Sequence, residues 1–406
     1  MNLSVPVFSA VNREKMPKTI ICFENEERSC LYNSQVLQQI RTCYREELLV
    51  MVGAGEFSAC GTPLTPGCRD RAGEYVKAGA DLVLTLPAAG ILGGYGKKEF
   101  AGAALVQRLR TNEQLIIPCE PGPGQSPADC GKELRSIAML IFREGNGYRG
   151  RLKEAFAEGK SFRDAQYSAV CDCMPEAREI LSRQINRHAL WLLDSMLQLY
   201  YMPRREFIAV QGQEPGGKDA GFSGKSSGSS GKSSGSSGEG SEKQRESERT
   251  ADLQQKAAFE QRLALKTAEL LAEGSMDRLI DISGSTTQMA EALFENQERI
   301  RSADSLTRIA EMLRPAPVDR VRLFLLKAIL GIRKIHMQIC GLHEFVPYAR
   351  VCAENPEKAD LLKQLEERSW VPFVREKEPY PEEAGNYGYL LEADRRAGEL
   401  AAGPGN

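Results

Sequence analysis

Short apolar segments of strand type alternate with helical segments over the first half of this chain, and this order most constrains its fold. Continuous apolar runs, which are typical of strands buried on both faces, occupy Lys18–Phe23, Glu47–Gly53, Asp81–Pro87 and Gln114–Ile117. Helical spacing is found in Ser34–Arg41, Arg69–Ala78 and Glu99–Leu109. This alternation predicts an α/β fold with a parallel sheet and helices on both of its faces.

The rest of the chain is mostly helical, and its composition predicts three parts. Residues 1–205 form the α/β domain, 206–249 a linker, and 250–406 a mainly helical domain with a small α/β end. The linker contains Lys225–Gly231 and then the same seven residues at Lys232–Gly238. Such Gly/Ser composition cannot bury enough surface to fold, so we expect disorder there. In the third part, apolar residues recur at three- and four-residue spacing in Thr250–Ala272, Thr286–Arg301, Ser305–Leu313 and Val318–Ile332.

The composition is that of an ordinary soluble protein. Of 406 residues, 42% are apolar and 27% charged, and the formal net charge is -2. This charge gives no global attraction to nucleic acid, so any RNA contact would use a local basic face. The N-terminus has no basic region before an apolar run, and no stretch is apolar enough to span a membrane, so we expect a cytoplasmic protein. Eleven scattered cysteines are interpreted as reduced thiols.

Several motifs carry a family resemblance. Ala54–Pro63, then Arg71, then Gly79–Pro87 with the sequence Gly-Ala-Asp-Leu-Val-Leu-Thr-Leu-Pro, are similar at matching spacing to the tRNA(Met) cytidine acetate ligase family. Further blocks recur in the family's order, namely Arg149–Ala155, Arg320–Ile332, Tyr348–Val351 and Leu390–Asp394. The resemblance implies a nucleotidyltransferase-like, Rossmann-type domain. It also implies a cytoplasmic enzyme that uses ATP and Mg²⁺ to make acetyl-adenylate from acetate, and then acetylates the wobble cytidine of tRNA.

The chain departs from the family where the chemistry should occur. The family's His-x-Gly-His motif opens the first helix, where the helix N-terminus favours phosphate, but it falls here on Cys30–Asn33. Neither Cys30 nor Asn33 can carry a positive charge, and the first 187 residues contain no histidine. The neighbouring Glu24, Glu26 and Glu27 would repel a triphosphate, and the family's phosphate-side glycine corresponds to Pro118. Losing one positioned donor costs about 10²- to 10³-fold in rate, so we predict no catalytic residue and a catalytically degenerate member, a pseudoenzyme.

Three residues remain candidates for nucleotide binding: Gly55, Arg71 and Asn186. Each also has an ordinary interpretation, Gly55 as a turn residue, Arg71 as a salt-bridge residue and Asn186 as an exposed helix residue. Other constellations are weak. Cys171-Asp172-Cys173 lacks a second cysteine pair at metal spacing, so we expect no metal site. Gly90–Gly96 lacks the spacing of a phosphate-binding loop. His336 and His343 have no acid and nucleophile pattern near them.

A basic set near residue 320 is the best remnant of an RNA-binding function. Its members are Arg320, Arg322, Lys327, Arg333 and Lys334. Helical spacing places Arg320 and Lys327 on one side, opposite the apolar residues, where they would contact tRNA phosphates. The alternative is a solvated helix face. Two hypotheses therefore stand: a degenerate relative that keeps the scaffold and tRNA binding, or a non-catalytic scaffold that binds a protein partner. An enzyme with altered chemistry is the remaining possibility.

Overall fold

A computed structural model describes residues 18–93, 97–111, 113–158, 160, 162–210, 239–274, 276–303, 305–313, 316, 318–342, 346–375 and 387–402. The Gly/Ser repeat of the predicted linker, His343 and part of the glycine-rich segment Gly90–Gly96 lie outside these residues. No helix in the described ranges is both long and apolar enough to cross a membrane.

A seven-stranded sheet with the order β5-β4-β1-β2-β3-β6-β7 forms the centre of the fold. Its strands are β1 (Thr19–Phe23), β2 (Leu48–Gly53), β3 (Leu82–Thr85), β4 (Glu113–Cys119), β5 (Arg204–Ala209), β6 (Ala349–Glu354) and β7 (Phe373–Arg375). The strands β1 to β5 are parallel, with Ile21 opposite Val50 and Leu115, whereas β6 runs antiparallel to β3. The predicted α/β class with a mostly parallel sheet is confirmed.

Nine helices accompany the first five strands among the described residues. They are α1 (Cys30–Cys43), α2 (Cys68–Lys77), α3 (Ala88–Ile91), α4 (Lys97–Leu109), α5 (Pro127–Arg143), α6 (Asn146–Ala157), α7 (Phe162–Cys173), α8 (Ala177–Ser182) and α9 (Gln184–Gln198). One face of the sheet, with Ile21, Val50 and Leu82, packs in one core with residues of α4, α5 and α9. The other face, with Ile20, Leu49 and Met51, packs with residues of α1 and α2. Helices therefore cover both faces, as the continuous apolar strands require.

The second half is mainly helical. Its helices are α10 (Glu239–Glu273), α11 (Met276–Ile280), α12 (Thr287–Glu295), α13 (Gln297–Arg301), α14 (Leu306–Met312), α15 (Val318–Leu330), α16 (Lys334–Leu342), α17 (Ala359–Arg368) and α18 (Gly388–Ala402). A separate apolar core joins Phe259 of α10, Leu293 of α12 and Phe324 of α15. The helix α10 begins at Glu239, so the predicted linker end at residue 249 is wrong. The first turns of α10 are rich in Glu, Lys and Arg, which are good helix formers.

The predicted domain boundaries also differ from the structure at the sheet. Residues 206–209 were assigned to the linker but belong to the edge strand β5, whose partly exposed side chains lack the apolar run of a central strand. The small α/β end of the helical half does not form its own unit, because β6 pairs with β3. On α18, the buried Asp394 accepts hydrogen bonds from the Ala88 backbone at 2.6 Å and from the Tyr348 hydroxyl at 2.8 Å. Both halves of the chain therefore contribute to one structure.

The strand order places a topological switch point between β1 and β4. The chain leaves β1 towards β2 on one side and reaches β4 and β5 on the other. In open α/β sheets, ligands bind in the crevice outside the carboxyl ends of the strands at such a point. This crevice is where the candidate site is expected.

Candidate functional site

A buried carboxylate follows β1 directly, and its charge is neutralised by the protein. The oxygens of Glu24 accept hydrogen bonds from the Ala54 backbone at 2.7 Å, from Arg71 Nε at 2.9 Å and from the Tyr75 hydroxyl at 2.6 Å. The Glu24 and Arg71 side chains are 3% and 5% exposed. Glu24 therefore does not face the crevice as a free charge, and the repulsion of a triphosphate by this residue stays a prediction.

The guanidinium of Arg71 is held entirely by protein groups. Besides Glu24, it donates to the carbonyl oxygens of Pro66 at 2.6 Å, Ala54 at 3.1 Å and Gly55 at 2.7 Å. Two candidate nucleotide ligands, Gly55 and Arg71, thus contact each other after β2. These hydrogen bonds stabilise the loop between β2 and α2. Nucleotide binding by these two residues stays a prediction. The ordinary interpretation of Arg71, a salt-bridge residue, is supported, because Glu24 is its partner.

The polar groups at the start of α1, where the resemblance predicts a replaced motif, are bonded by the protein itself. Ser29 caps the helix and accepts from the Tyr32 backbone N–H at 3.2 Å. The Asn33 side chain accepts from the Asn25 N–H at 3.0 Å and donates to the carbonyl oxygens of Asn25 and Ser29, both at 3.1 Å. Asn33 is 3% exposed. Cys30, at the first helical position, is half-buried, and burial raises its pKa.

A second asparagine closes the loop after β4. Asn186 on α9 is fully buried, accepts from the Glu120 N–H at 2.8 Å, and donates to the carbonyl oxygens of Glu120 at 2.9 Å and Ile180 at 3.0 Å. The interpretation of Asn186 as an exposed helix residue is therefore wrong. Pro118 lies inside β4, opposite Ile208 of β5, and not in a turn after a strand. Its missing N–H is tolerated there because the described pairing of β1 with β4 ends at Ile116.

A cavity of about 210 Å³ lies beside the turn between β1 and α1. Its walls come from the loop after β1, the loop after β2, the start of α4, and the helices α9 and α10. The lining residues are Asn25, Glu26, Glu27, Ser58, Ala59, Cys60, Thr62, Pro63, Leu64, Lys98, Glu99, His188, Trp191 and Lys256. Four of them form a buried chain of charges, which we call the cavity tetrad: Glu26, Lys98, Glu99 and His188.

The contacts within the cavity tetrad run from one carboxylate to the imidazole. Lys98 Nζ lies 3.1 Å from Glu26 Oε2 and 3.6 Å from Glu99 Oε1, and His188 Nδ1 lies 3.3 Å from the same Glu99 oxygen. All four side chains are at most 10% exposed. Burial alone raises the pKa of Glu99, but Lys98 and His188 lower it to about 2, so Glu99 is ionised at neutral pH. Burial also disfavours the charged form of Lys98, but Glu26 and Glu99 raise its pKa above the usual value.

Three buried polar atoms of the cavity residues make no hydrogen bond in the described part of the chain. They are Asn25 Nδ2, Glu26 Oε2 and His188 Nε2. Of these, Glu26 Oε2 has the ion-pair contact with Lys98 Nζ at 3.1 Å. Asn25 is 5% exposed and His188 9%. Because Glu99 lies beside His188 Nδ1, it favours the tautomer that has its proton there, which leaves Nε2 able to accept a hydrogen bond. The cavity therefore offers a donor and an imidazole nitrogen to a bound molecule.

Sequence reasoning missed the cavity tetrad. The absence of histidine from the first 187 residues suggested that the α/β domain had no imidazole to use. However, α9 belongs to the same domain and brings His188 to the carboxyl edge of the sheet. A signal was present, because Lys98 and Glu99 are adjacent charges at the start of a helix whose remaining residues are largely apolar. Their partner could only be found in three dimensions.

The basic set of the helical half is divided by the structure. Arg320, Arg333 and Lys334 are exposed, while Arg322 and Lys327 are each only 8% exposed. Arg322 donates to Asp319 at 2.6 Å and to Glu260 at 3.3 Å. Burial lowers the pKa of Lys327 to about 8. The expectation that Arg320 and Lys327 share a solvent face is wrong, because tertiary packing covers Lys327.

Arg333, which lies between α15 and α16, instead lines a hollow with arginines of two helices. The hollow has a volume of about 330 Å³ and is lined by Arg278 of α11, Arg333, Arg396 of α18 and the His336 ring, among others. We call it the basic hollow. Part of its charge is balanced, since Arg396 donates to Glu392 at 2.8 Å and Arg333 lies 3.8 Å from Asp281. His336 stacks on Tyr389 with ring centroids 3.9 Å apart, and burial lowers its pKa.

Among the described residues, no group of three or more His, Cys, Asp or Glu side chains is arranged to hold a metal ion. This statement includes Cys171 and Cys173, which lie on α7.

The chain was compared with protein families, curated proteins and solved structures. No family model matches it, and no curated protein matches it significantly. Two crystal structures of TmcAL from Thermotoga maritima are similar in structure. The form bound with alpha-thio ATP matches with a TM-score of 0.65 and 15% identity, over 94% of this chain and 93% of that chain. The apo form matches with a TM-score of 0.65 and 16% identity over the same shares. At such low identity the likeness establishes architecture, and over nearly its whole length this chain has the nucleotidyltransferase-like fold of TmcAL.

Proposed function

We propose that this chain is a divergent relative of the tRNA(Met) cytidine acetate ligases that binds tRNA but does not form acetyl-adenylate. TmcAL, whose fold it shares, is such a ligase. The proposed loss of activity rests on the start of α1. There the side chains of Asn33 and Ser29 accept hydrogen bonds from the backbone N–H groups of Asn25 and Tyr32, which could otherwise bind phosphate.

The residues of the crevice do not fit ATP with Mg²⁺. A triphosphate needs several unpaired cations or N–H donors, but Arg71 is held by Glu24 and Lys98 lies between two carboxylates. Glu26 and Glu99 would instead face the phosphates. Losing a single positioned donor costs about 10²- to 10³-fold in rate, so the loss of both motif histidines removes most of the acceleration.

Pyrophosphate exchange tests this loss directly. The purified chain, incubated with ATP, Mg²⁺, acetate and labelled pyrophosphate, should form labelled ATP no faster than a blank without protein. Thermotoga maritima TmcAL serves as the positive control in the same assay. A calorimetric titration with ATP and Mg²⁺ should likewise give no heat of binding. Acetate-dependent exchange well above the blank would contradict the proposal.

The basic hollow supports the tRNA-binding part of the proposal. Arg278, Arg333 and Arg396 come from three different segments and converge on one concave surface. Arg278 and Arg333 are exposed, so they can reach a phosphate without losing buried contacts. Arginine forms two parallel hydrogen bonds with phosphate, and each phosphate it neutralises releases counterions. Arg320 and Lys334 are also exposed and add positive charge to the same half of the chain.

Salt dependence distinguishes this surface from a solvated helix face. Binding to total tRNA should weaken steeply with added salt, and the double variant Arg278→Gln/Arg333→Gln should flatten the log–log slope by about two units. The matched control is Arg151→Gln on α6, an exposed arginine paired with Glu154 at 3.0 Å, which should leave the slope unchanged. If the native chain does not bind tRNA at all, the alternative function, a non-catalytic scaffold for a protein partner, is favoured.

A second candidate function, chemistry that does not use ATP, is favoured by one observation. In the cavity tetrad, Glu99 orients His188 while Nε2 has no partner, which is how an imidazole is prepared to act as a general base. If a tRNA nucleotide enters the cavity, tRNA should protect His188 from carbethoxylation at least tenfold, whereas ATP should not. Peptide mass spectrometry measures this for His188 alone. Equal modification with and without tRNA would exclude a tRNA nucleotide from the cavity.

A further inference from the structure

Two cysteines from opposite halves of the chain lie in contact between the sheet strand β6 and the helix α2. Cys68 is the first residue of α2 and Cys352 lies in the middle of β6, and their sulfur atoms are 3.3 Å apart. The two residues are separated by 284 positions. A disulfide bond has a sulfur–sulfur distance of about 2.05 Å, so the two sulfurs need to approach by little more than an ångström.

The surroundings make the two thiols unequal. Cys352 Sγ lies 3.2 Å from the Thr85 hydroxyl, and Arg350 precedes it by two residues on the same strand. The hydrogen bond with Cys68 lowers the pKa of Cys352 to about 7, helped by Arg350 and opposed by burial. The same hydrogen bond, together with burial, raises the pKa of Cys68. These opposite shifts favour the thiolate form at Cys352 over that at Cys68, and the thiolate is the reactive form of cysteine.

We propose that Cys68 and Cys352 form a reversible disulfide, a redox modification site that joins β6 to α2. The oxidant class is a hydroperoxide. The Cys352 thiolate attacks one peroxide oxygen, the O–O bond breaks, and a sulfenic acid and hydroxide form. Cys68 then loses its proton and its sulfur attacks the sulfenic sulfur, which releases a second hydroxide. In total, two thiols and one hydrogen peroxide give one disulfide and two waters, and a dithiol reductant reverses the bond.

The position of this pair gives the bond a structural consequence. The strand β6 is contributed by the second half of the chain, whereas α2 follows the loop of residues 54–67 in the first half. That loop supplies Ser58, Cys60 and Thr62 to the cavity wall. The bond would therefore join the two halves covalently and hold the end of the cavity loop. It would also close a loop of more than 280 residues, which restricts the unfolded chain.

Peptide mass spectrometry after oxidation tests the proposal in the full chain. After treatment with hydrogen peroxide at pH 7, a cross-linked peptide containing Cys68 and Cys352 should appear, with two hydrogens lost, and dithiothreitol should remove it. Its rate of formation should rise with pH through about 7, where Cys352 becomes a thiolate. The oxidised protein should melt roughly 5 °C higher than the reduced protein.

Cysteine variants provide the controls. Cys68→Ser and Cys352→Ser should each abolish the cross-link and the rise in melting temperature, whereas Cys43→Ser, at an exposed cysteine, should change neither. Should either serine variant fail to fold, the peptide map of the unmodified chain still decides. The proposal is overturned if Cys43 is fully oxidised while Cys68 and Cys352 stay reduced, or if either one pairs with a different cysteine.

Discussion

The turn after β1 and the cavity beside it share Asn25 but use it in opposite ways. In the turn, the Asn25 backbone N–H and carbonyl are both bonded to the Asn33 side chain. Towards the cavity, Asn25 Nδ2 has no partner in the described chain, and neither has Nε2 of His188. The turn is thus closed by its own polar groups, while the cavity keeps groups that a ligand could satisfy.

This difference shows how the polar groups of two neighbouring regions can be satisfied by the protein in one and left without partners in the other. A buried donor or acceptor without a partner costs about 1–3 kcal/mol. At the start of α1, the Asn33 side chain bonds the Asn25 N–H and the carbonyl oxygens of Asn25 and Ser29, so the turn is closed without a ligand. The cavity tetrad has not been closed in this way, because its charged groups pair with one another and leave the space beside them open.

The largest effect is expected for Lys98→Met, which tests whether the cavity tetrad depends on its single lysine. Glu26 and Glu99 would be buried without a cation, so the free energy of unfolding in urea should fall by about 3–5 kcal/mol at pH 7. The deficit should narrow in acid. The folded-state pKa of Glu99, about 2, lies below its ordinary value, so this stabilisation is full above about pH 4.5 and is lost as the pH falls towards 2.

The matched control for that variant is Lys132→Met. Lys132 pairs with Asp129 at 2.8 Å on the surface, with 68% of its side chain exposed, so its loss should change the unfolding free energy by less than about 0.5 kcal/mol. If Lys98→Met and Lys132→Met lower the free energy of unfolding by similar amounts, the cavity tetrad does not depend on Lys98 for its stability.

A smaller effect is expected for Asn33→Ala, which opens the turn. The Asn25 N–H and the carbonyl oxygens of Asn25 and Ser29 lose their partner, so stability should fall by about 1–3 kcal/mol. Asn33→Asp keeps the acceptor for the Asn25 N–H but loses both donors. In urea denaturation, its free energy of unfolding should lie between those of the unmodified chain and Asn33→Ala. If Asn33→Ala leaves the free energy of unfolding unchanged, Asn33 is not the residue that closes the turn.

The smallest effect is expected for His188→Phe. Phenylalanine removes the Nδ1 contact with Glu99, but Glu99 keeps Lys98 as its partner and Nε2 makes no hydrogen bond, so the free energy of unfolding should fall by only about 1 kcal/mol. Asn186→Ala on the same helix removes three satisfied bonds and should cost about 2 kcal/mol or more. If His188→Phe is the more damaging of the two, the imidazole has a structural role and the contrast between turn and cavity fails.

Much of the fold follows from local pattern. Continuous apolar runs predicted β1 to β4, because a strand buried on both faces has no polar side to interrupt the run. The same rule missed β5, an edge strand with partly exposed side chains. Between α8 and α9, Arg183 has extended backbone angles that separate the two helices.

The candidate site was less predictable than the fold. The positions of Cys30 and Asn33 at the start of α1 could be read directly, since they follow β1 closely along the chain. The burial of Arg322 and Lys327 could not be predicted in this way. Helical spacing describes the faces of one helix, but it does not say which faces the neighbouring elements cover. Spacing alone therefore placed Lys327 on a solvent face that the fold does not provide.

The sequence by itself determined the α/β alternation, the lack of histidine before residue 188 and the absence of any excess positive charge, because these depend on residue type and short-range spacing. Only the tertiary structure decided that His188 meets Glu99, that Asn33 closes its own turn, and that Cys68 touches Cys352. Such contacts depend on how strands and helices from distant parts of the chain are brought together. The physical reason is that hydrogen bonds and charge pairs act over a few ångströms in space, while sequence patterns report only distance along the chain.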